Sequence, residues 1–494
     1  MANHFLAFDL GAESGRALLG ILDGDKLSLE EKHRFPNPSG RMNGRLCWDL
    51  LGQWEHLKEG LRKTAAGLST GGGASLDGIG VDTWGVDFGL LNSDGDILGN
   101  PLHYRDSGTD GVMQKVFARV GRENVFEQTG TQLMQFNTLF QLQAMKDRSP
   151  RLLESAQTLL FMPDLFNYLF TGECKAEFSI ASTSQMYDMR KKAWATPLLE
   201  ALGLPGAILP EVVPSGTVIG RLRAEVGGER GSDAVPVIAP AGHDTASAVA
   251  AVPAEGGSWC YISSGTWSLM GVELPQPIIN DKSLKYNYTN EGGVGGSIRF
   301  LKNIMGLWLV QECRRHWIRE DHDHTYAELT QMAERAASTA LIDPNHQPFL
   351  SPGNMVPKID EFCRDTQQHV PGTRGEYVRV CLESLALTYR RTLEGLEDIL
   401  GRRLETIHIV GGGSRNELLN QMTADACGRR VVAGPVEATA IGNILVQAMA
   451  VGAVRSLDAA RAIVRESFDV KTYEPRESKK WDAAYEKFRG IVKE

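Results

Sequence analysis

The sequence predicts an α/β protein built from two related halves. Three observations carry this expectation. A Gly-rich hairpin opens each half of the chain. The first hairpin is followed by a third strand, a helix and a further strand, and the second half carries a strand–Gly-Gly-Gly–helix passage. The first hairpin is Phe5-Leu-Ala-Phe-Asp-Leu-Gly-Ala-Glu-Ser-Gly-Arg16 with the apolar Ala17 to Ile21 behind it. The second is Trp259-Cys-Tyr-Ile-Ser-Ser-Gly-Thr-Trp-Ser268 followed by Leu269 to Val272. Each reads as strand, tight turn, strand.

From Phe5 to about His33 the pattern is strand, turn, strand, turn, strand, with Asp23-Gly24-Asp25 at the second reversal. Leu46 to Leu68 reads as a helix, because Leu50, Leu51, Trp54, Leu57 and Leu61 return at helical spacing. Leu76 to Val81 follows as a short buried strand and Gly89 to Asn92 as another. Hairpin strands, then a helix, then a strand is the order of a ribonuclease-H-like half. Residues 108–206 read as a mostly helical insertion, and residues 210–220 as a Pro/Gly-punctuated passage. Val235 to Pro240 is a strand leading into small helix formers from Ala246 to Val252. In the second half, Leu382 to Leu400 is a helix stopped by Gly401. Thr406 to Val410 is a strand, and after Gly411-Gly-Gly413 a helix runs from Asn416 to Cys427 with Ser414 expected as its N-cap. Further helices cover Ala438 to Ala450 and a tail that aligns Trp481, Tyr485, Phe488 and Val492.

At 494 residues there is material for roughly two to four domains. A formal net charge of −9 argues against nucleic acid or an anionic membrane as the main partner. The seven cysteines are scattered without Cys-x-x-Cys spacing, which favours buried thiols over a disulfide framework or a metal site. Asp9 interrupts the apolar run at the N-terminus, and the apolar stretch from Ala438 to Val454 carries Asn443 and Gln447 and is short for a bilayer span. A cytoplasmic protein is expected; its oligomeric state is left open.

Turns of this composition gather backbone N–H groups and hydroxyls where phosphate oxygens fit, although the same turns also make ordinary hairpins. Neither is a P-loop, since no Gly-Lys-Ser/Thr follows a strand, and Gly78-Ile-Gly80 leads into Val81-Asp82 rather than a helix. Asp9, at the end of the first strand, offers a carboxylate to a magnesium–nucleotide complex. The triglycine lets a ligand approach the backbone closely, or simply serves a crowded turn. Asp244, just after the 235–239 strand and between His243 and Thr245, is placed either to take a proton from a hydroxyl or to start a helix. Asp82-Thr-Trp-Gly-Val-Asp87 sets an aromatic and two carboxylates around Gly85, as a polyhydroxylated ligand requires, unless Trp84 only fills core. Asn303 and Gln311, eight apart, are expected on one face of a helix running through Met305 to Arg314.

Taken together these segments resemble the FGGY family of carbohydrate kinases. The matching pieces are Phe8-Asp-Leu-Gly-Ala-Glu-Ser-Gly-Arg16, Gly80-Val-Asp-Thr-Trp-Gly-Val-Asp-Phe88, Gly242-His-Asp-Thr-Ala-Ser247, Ile262-Ser-Ser-Gly-Thr-Trp-Ser268, Asn303 through Gln311, Ile409-Val-Gly-Gly-Gly-Ser414 and Ala433-Gly-Pro-Val-Glu-Ala438 with Ile441-Gly-Asn443. They are collinear from residue 5 to about 450. The resemblance implies two actin-like domains with an interdomain cleft: residues 1–245 for sugar, with the helical insertion, and 246–494 for nucleotide. It implies magnesium-dependent transfer of the γ-phosphoryl of ATP to a sugar hydroxyl. The nearest members act on O1 of L-rhamnulose; L-fuculose and xylulose kinases, and an actin-like ATPase switch, are the alternatives. Residue by residue, the resemblance implies ATP at Ala12, Glu13, Ser14, Gly15, Arg16, Thr266, Asn303, Gln311, Gly411 and Gly412. It implies sugar at Gly85, His243, Asp244 and Thr245, with Asp244 as base and Asp9 near the metal through water. Glu13 departs from the smaller residue expected there, and a carboxylate beside phosphates is unfavourable unless it turns away or helps to hold the metal.

Overall fold

In the computed structural model, which describes residues 2–70, 75–227 and 234–492, the chain forms two compact units. The first comprises Met1–Pro253, Glu273–Leu301 and Ala438–Phe468, the second Ala254–Val272, Lys302–Glu437 and Asp469–Glu494.

Among the described residues of the first unit, one sheet orders its strands as Thr217–Arg221, Pro236–Ala239, Gly78–Thr83, Asn3–Leu10, Ser14–Asp23 and Lys26–Pro36. Asn3–Leu10 runs antiparallel to Ser14–Asp23, with Asp9 opposite Arg16, and parallel to Gly78–Thr83, with Asp9 beside Asp82. Strand side chains alternate between faces, so Phe5, Ala7 and Asp9 share one face with Gly78, Gly80 and Asp82. Helix Ala438–Ala450 covers that face. Cβ atoms built on Gly20 and Gly80 would lie 2.7 Å from Ile444 and 2.5 Å from Asn443. Helix Leu50–Thr70 covers the other face, where Gly60 approaches Phe8 and Ala17.

The helix expected from Leu46 begins only at Leu50, because Arg45–Trp48 pairs with Ser39–Met42 as a hairpin. Asp49 sets the start, its Oδ1 accepting the Gly52 N–H at 3.0 Å. Phe88–Leu91 leaves the main sheet and pairs with Thr158–Phe161. Residues 108–206 are mostly helical, as expected, and enclose an apolar core that includes Phe126, Phe140, Leu159, Leu198 and Leu202.

The second unit repeats the plan. Trp259–Ser264 pairs antiparallel with Trp267–Leu274 and parallel with Thr406–Val410, beyond which lie Arg430–Ala433 and Lys471–Tyr473. Helices Arg374–Leu400, Glu417–Cys427 and Ser478–Ile491 belong to the same unit. Two expectations are corrected here. Asn303 lies in the strand Ile298–Met305 and not on the helix Trp308–Ile318 that carries Gln311. Asn416, not Ser414, caps Glu417–Cys427, accepting the Leu419 N–H at 3.0 Å. Gly411, at φ 86°, opens a 3-10 turn that absorbs Ser414 and delays the α-helix.

Candidate active site

Three carboxylates of the first unit gather at the ends of strands. Parallel register places Asp9 and Asp82 side by side. Asp9 accepts from the Arg16 guanidinium at 2.6 Å. Asp82 is fully buried; its Oδ2 accepts from Asn443 Nδ2 at 2.6 Å, and Oδ1 has no hydrogen-bond partner among the described residues. Burial, and then the neighbouring Asp9, hold the Asp82 carboxyl well above the usual carboxylate range against the pull of Asn443.

Asp244 comes from the adjoining strand end. Thr83 N–H donates to Gly242 O at 2.9 Å, which ties the two strand ends together, and Asp244 then opens the helix Asp244–Ala250. Its Oδ1 accepts from the Thr245 N–H and hydroxyl. Its side chain keeps 31% of its exposure, unlike its neighbours. Enclosure by the surrounding protein still raises the Asp244 carboxyl, with Asp9 adding to the shift and His243 opposing it. A carboxylate that is reachable and made more basic is suited to accept a proton.

The segment before it is anchored by Glu177, whose Oε2 accepts from Gly242 N–H at 2.9 Å and from the Ser179 hydroxyl, which in turn accepts from His243 N–H at 3.1 Å. A Cβ on Gly85 would lie 3.4 Å from His243 Nε2 and 3.4 Å from Thr183. Next to it Val86 sits at φ 67°, a strained conformation for a β-branched residue, clamped by Thr183 Oγ1 on its N–H and by the Thr138 hydroxyl on its carbonyl. Gly85, His243, Asp244 and Thr245 are therefore brought together.

Asp87 corrects the expectation of two carboxylates free for hydroxyls. It is fully buried, and accepts from Trp48, Trp84, Gln141 and the Tyr104 N–H. Burial pushes it up to about 7 although these donors pull it down. Its oxygens serve the interior, and Trp84 packs on Trp48 in a tilted arrangement with ring centroids 4.0 Å apart.

In the turn of the first hairpin, Gly11 N–H donates to Ser14 O at 3.0 Å, and Asn37 holds Gly11 O and Glu13 O. Gly15 admits no side chain, since a Cβ there would meet the Phe35 ring at 2.2 Å. Ala12, Glu13 and Ser14 remain half-buried.

In the second unit, Thr266 O receives the N–H groups of Gly306 and Trp308, which joins the hairpin turn to the start of the Gln311 helix. Gln311 Oε1 is buried without a hydrogen-bond partner among the described residues, and Asn303 is half-buried. The triglycine packs on the hairpin end: a Cβ on Gly411 would lie 3.1 Å from Ser264 O, and one on Gly413 2.1 Å from Ser264 Oγ. A Cβ on Gly412 would meet none of the described atoms within 4 Å, so its backbone is approachable.

The profile of the FGGY family of carbohydrate kinases, N-terminal domain, matches residues 4–251, and that of its C-terminal domain matches residues 260–451. The chain belongs to the FGGY family of carbohydrate kinases. It is 46% identical to a rhamnulokinase of Bacteroides thetaiotaomicron over 494 residues, 100% of both chains. It is 42% identical to a rhamnulokinase of Oceanobacillus iheyensis over 468 residues, 95% of this chain and 97% of that one. The fold matches a xylulose kinase of Lactobacillus acidophilus (TM-score 0.79, 16% identity, 99% and 96% covered). It also matches a Plasmodium falciparum glycerol kinase with ADP (TM-score 0.79, 14% identity, 99% and 98% covered). This FGGY chain thus has the two-domain kinase fold of mixed α/β structure.

Sequence reasoning missed Glu177, Glu291 and Arg299, all buried beside the His243–Asp244 segment. The one signal available was Thr289-Asn-Glu-Gly-Gly293, where a charged residue interrupts a run of otherwise small and neutral residues. Among the described residues, no group of three or more His, Cys, Asp or Glu is arranged to hold a metal ion, and no helix is long and apolar enough to cross a membrane.

Proposed function

We propose that this kinase transfers the γ-phosphoryl of ATP to O1 of L-rhamnulose, a reading supported by its similarity over its full length to proteins named rhamnulokinase. The observation that carries the chemistry is Asp244: a carboxylate made more basic by its surroundings, still open to solvent, beside His243 and Gly85. Asp244 takes the O1 proton as the new O1–phosphorus bond forms and the bond from the γ-phosphorus to the bridging oxygen breaks, releasing ADP. Gly85, His243 and Thr245 orient the sugar. The nucleotide is assigned to Ala12, Glu13, Ser14, Gly15 and Arg16 with Thr266, Asn303, Gln311, Gly411 and Gly412. In domain terms, residues 1–245 form the sugar-binding domain, which also lends its 12–16 turn to the nucleotide, and 246–494 the nucleotide-binding domain.

Magnesium, entering with ATP, supplies charge neutralisation on the phosphates. The residues fit it as a water-mediated partner: Asp9 and Asp82 are hard oxygen donors side by side, Asp82 Oδ1 lacks a partner among the described residues, and Arg16 already occupies Asp9. Seven free cysteines suit a reducing cytoplasm.

The test is ADP release with a panel of ketoses: the 6-deoxy sugars L-rhamnulose and L-fuculose, their 6-hydroxy counterparts, and the xyluloses. L-Rhamnulose is expected to give the highest kcat/KM, by about tenfold or more over an analogue differing at one carbon. ADP release that no sugar stimulates would overturn the reading and favour an ATPase switch.

A further inference from the structure

His243 sits between two carboxylates and one guanidinium: Asp244 Oδ1 is 3.5 Å from Nε2, Glu291 Oε2 is 3.2 Å from Nδ1, and Arg299 Nη2 is 3.2 Å from Nδ1. Glu291 and Arg299 face each other across the hairpin formed by Thr289–Gly292 and Ile298–Met305, in direct register. Both are buried, Arg299 completely. Arg299 is fixed by donating Nε–H to Gly292 O at 2.7 Å and Nη2–H to Glu291 at 3.0 Å. The hairpin approaches this closely because Gly292 has no side chain; a Cβ there would meet Phe178 at 2.6 Å.

We propose that Glu291, locked by Arg299, is a positioning residue that sets the tautomer and ring orientation of His243. Nδ1 carries the proton and donates to Glu291, so Nε2 presents a lone pair on the Gly85 side, with Asp244 Oδ1 farther off at 3.5 Å. An Nδ1–H donates to a carboxylate 3.2 Å away, whereas a bare Nδ1 would turn its lone pair on that carboxylate and take the second hydrogen of Arg299 Nη2, also 3.2 Å away; the two arrangements differ in the ¹⁵N spectrum of the ring. Arg299 and His243 hold Glu291 below the usual range in spite of the burial that acts first against it, which keeps it an acceptor. An Nε2 lone pair accepts from one sugar hydroxyl and leaves Asp244 free for the proton of the hydroxyl that attacks. The role of Glu291 in sugar binding rests on the reading given under Proposed function; its role in orienting the ring does not.

Two measurements test it. Kinetically, Glu291→Gln is expected to lower kcat/KM for the sugar by about 10- to 100-fold, as loss of an outer-shell orienting group does, and to leave the ATP KM unchanged. In a His243→Gln background, adding Glu291→Gln is expected to change nothing further. Because Glu291→Gln leaves a buried guanidinium without its counter-charge, Glu291→Gln/Arg299→Met is made alongside it, and thermal melts identify variants that fold. Spectroscopically, ¹⁵N-histidine NMR, with the His243 signals assigned by their loss in His243→Gln, should show a protonated Nδ1 and bare Nε2 in the unaltered protein and a change in that population in Glu291→Gln. A bare Nδ1 in the unaltered protein, or folded Glu291 variants with unaltered sugar kinetics and spectrum, would overturn the proposal, as would equal losses in both histidine backgrounds. If Nδ1 is protonated and responds to Glu291 while no sugar is phosphorylated, the orientation stands and the kinase assignment falls.

Discussion

Asp244 owes its position to backbone and not to its own contacts. The strand Pro236–Ala239 leads through Pro240 and Ala241 to Gly242, whose N–H is taken by Glu177 and whose carbonyl is taken by Thr83, so the next turn must leave the sheet at that point. Removing the charge while keeping the shape isolates the chemistry. Asp244→Asn is expected to lower kcat by about two to four orders of magnitude while ATP still binds; near-normal turnover would take Asp244 out of the mechanism. The pH dependence follows from the raised carboxyl. Activity needs the ionised form, so kcat/KM for the sugar should fall as pH drops through a value above the ordinary aspartate pKa of about 3.9. The same shift has an opposite consequence for stability. A folded-state value above the unfolded one favours the protonated native state, so stability declines as pH rises from about 3.9 through the folded value. Asp244→Asn should therefore melt no lower than the unaltered protein at neutral pH, with any advantage vanishing in acid. Asp244 and His243 were legible because a strand, a polar pair and a small-residue helix follow one another between Val235 and Val252. Glu291 and Arg299 were not: they reach His243 across 48 and 56 residues of sequence, and no local periodicity reports such a contact.

The helix Ala438–Ala450 does at the scale of an element what its apolar composition only half announces. Its position was readable from the sequence to the residue, but Asn443 and Gln447 within it signified only that the stretch was unsuited to a bilayer. In the fold they face the sheet. Asn443 donates to Asp82, while Gln447 donates to Leu6 O and to Asn443 Oδ1. The opposite demand, close approach to helix Asp244–Ala250, falls on Gly442, where a Cβ would lie 1.7 Å from Ser247 O. Gly442→Ala therefore sets two effects against each other. Helix propensity favours alanine by about 1 kcal/mol, whereas overpacking against a backbone carbonyl costs about 1–3 kcal/mol or more. The net is a destabilised protein, measurable as a lower urea midpoint at unchanged m; a variant as stable as its parent would show that the two helices separate at little cost. The edge strand Thr217–Arg221 illustrates the converse. Residues 210–220 read only as a Pro/Gly-punctuated passage, yet the strand pairs with Pro236–Ala239 across a bulge between Val218 and Gly220, the kind of irregular edge pairing that turn residues disguise.

At the scale of the molecule, chain order and compactness part company. The first unit draws Glu273–Leu301 and Ala438–Phe468 from beyond the residues that build its sheet. A linear reading sees the strands and the insertion, because each is marked by its own pattern, but nothing in a run of sequence says that a helix near residue 440 closes a sheet begun at residue 3. This has a direct consequence for a fragment ending at Pro253. Such a fragment keeps every strand of the six-stranded sheet, so far-UV circular dichroism should show substantial strand and helix. It lacks the helix over Phe5, Ala7, Gly20, Gly78 and Gly80, leaving an apolar face of the sheet in water. Asp82 loses the Asn443 amide, and His243 loses Glu291 and Arg299. Uncovered apolar surface with unfixed tertiary packing is the signature of a molten state. The fragment should bind ANS, give weak near-UV dichroism from its buried tryptophans and melt without a sharp transition. Joining residues 273–301 and 438–468 to it through flexible linkers should reverse all three. A fragment ending at Pro253 that melts cooperatively, with a near-UV spectrum comparable to that of the extended version, would show instead that the sheet and its insertion form a self-sufficient core and that the two distant segments merely dock upon it.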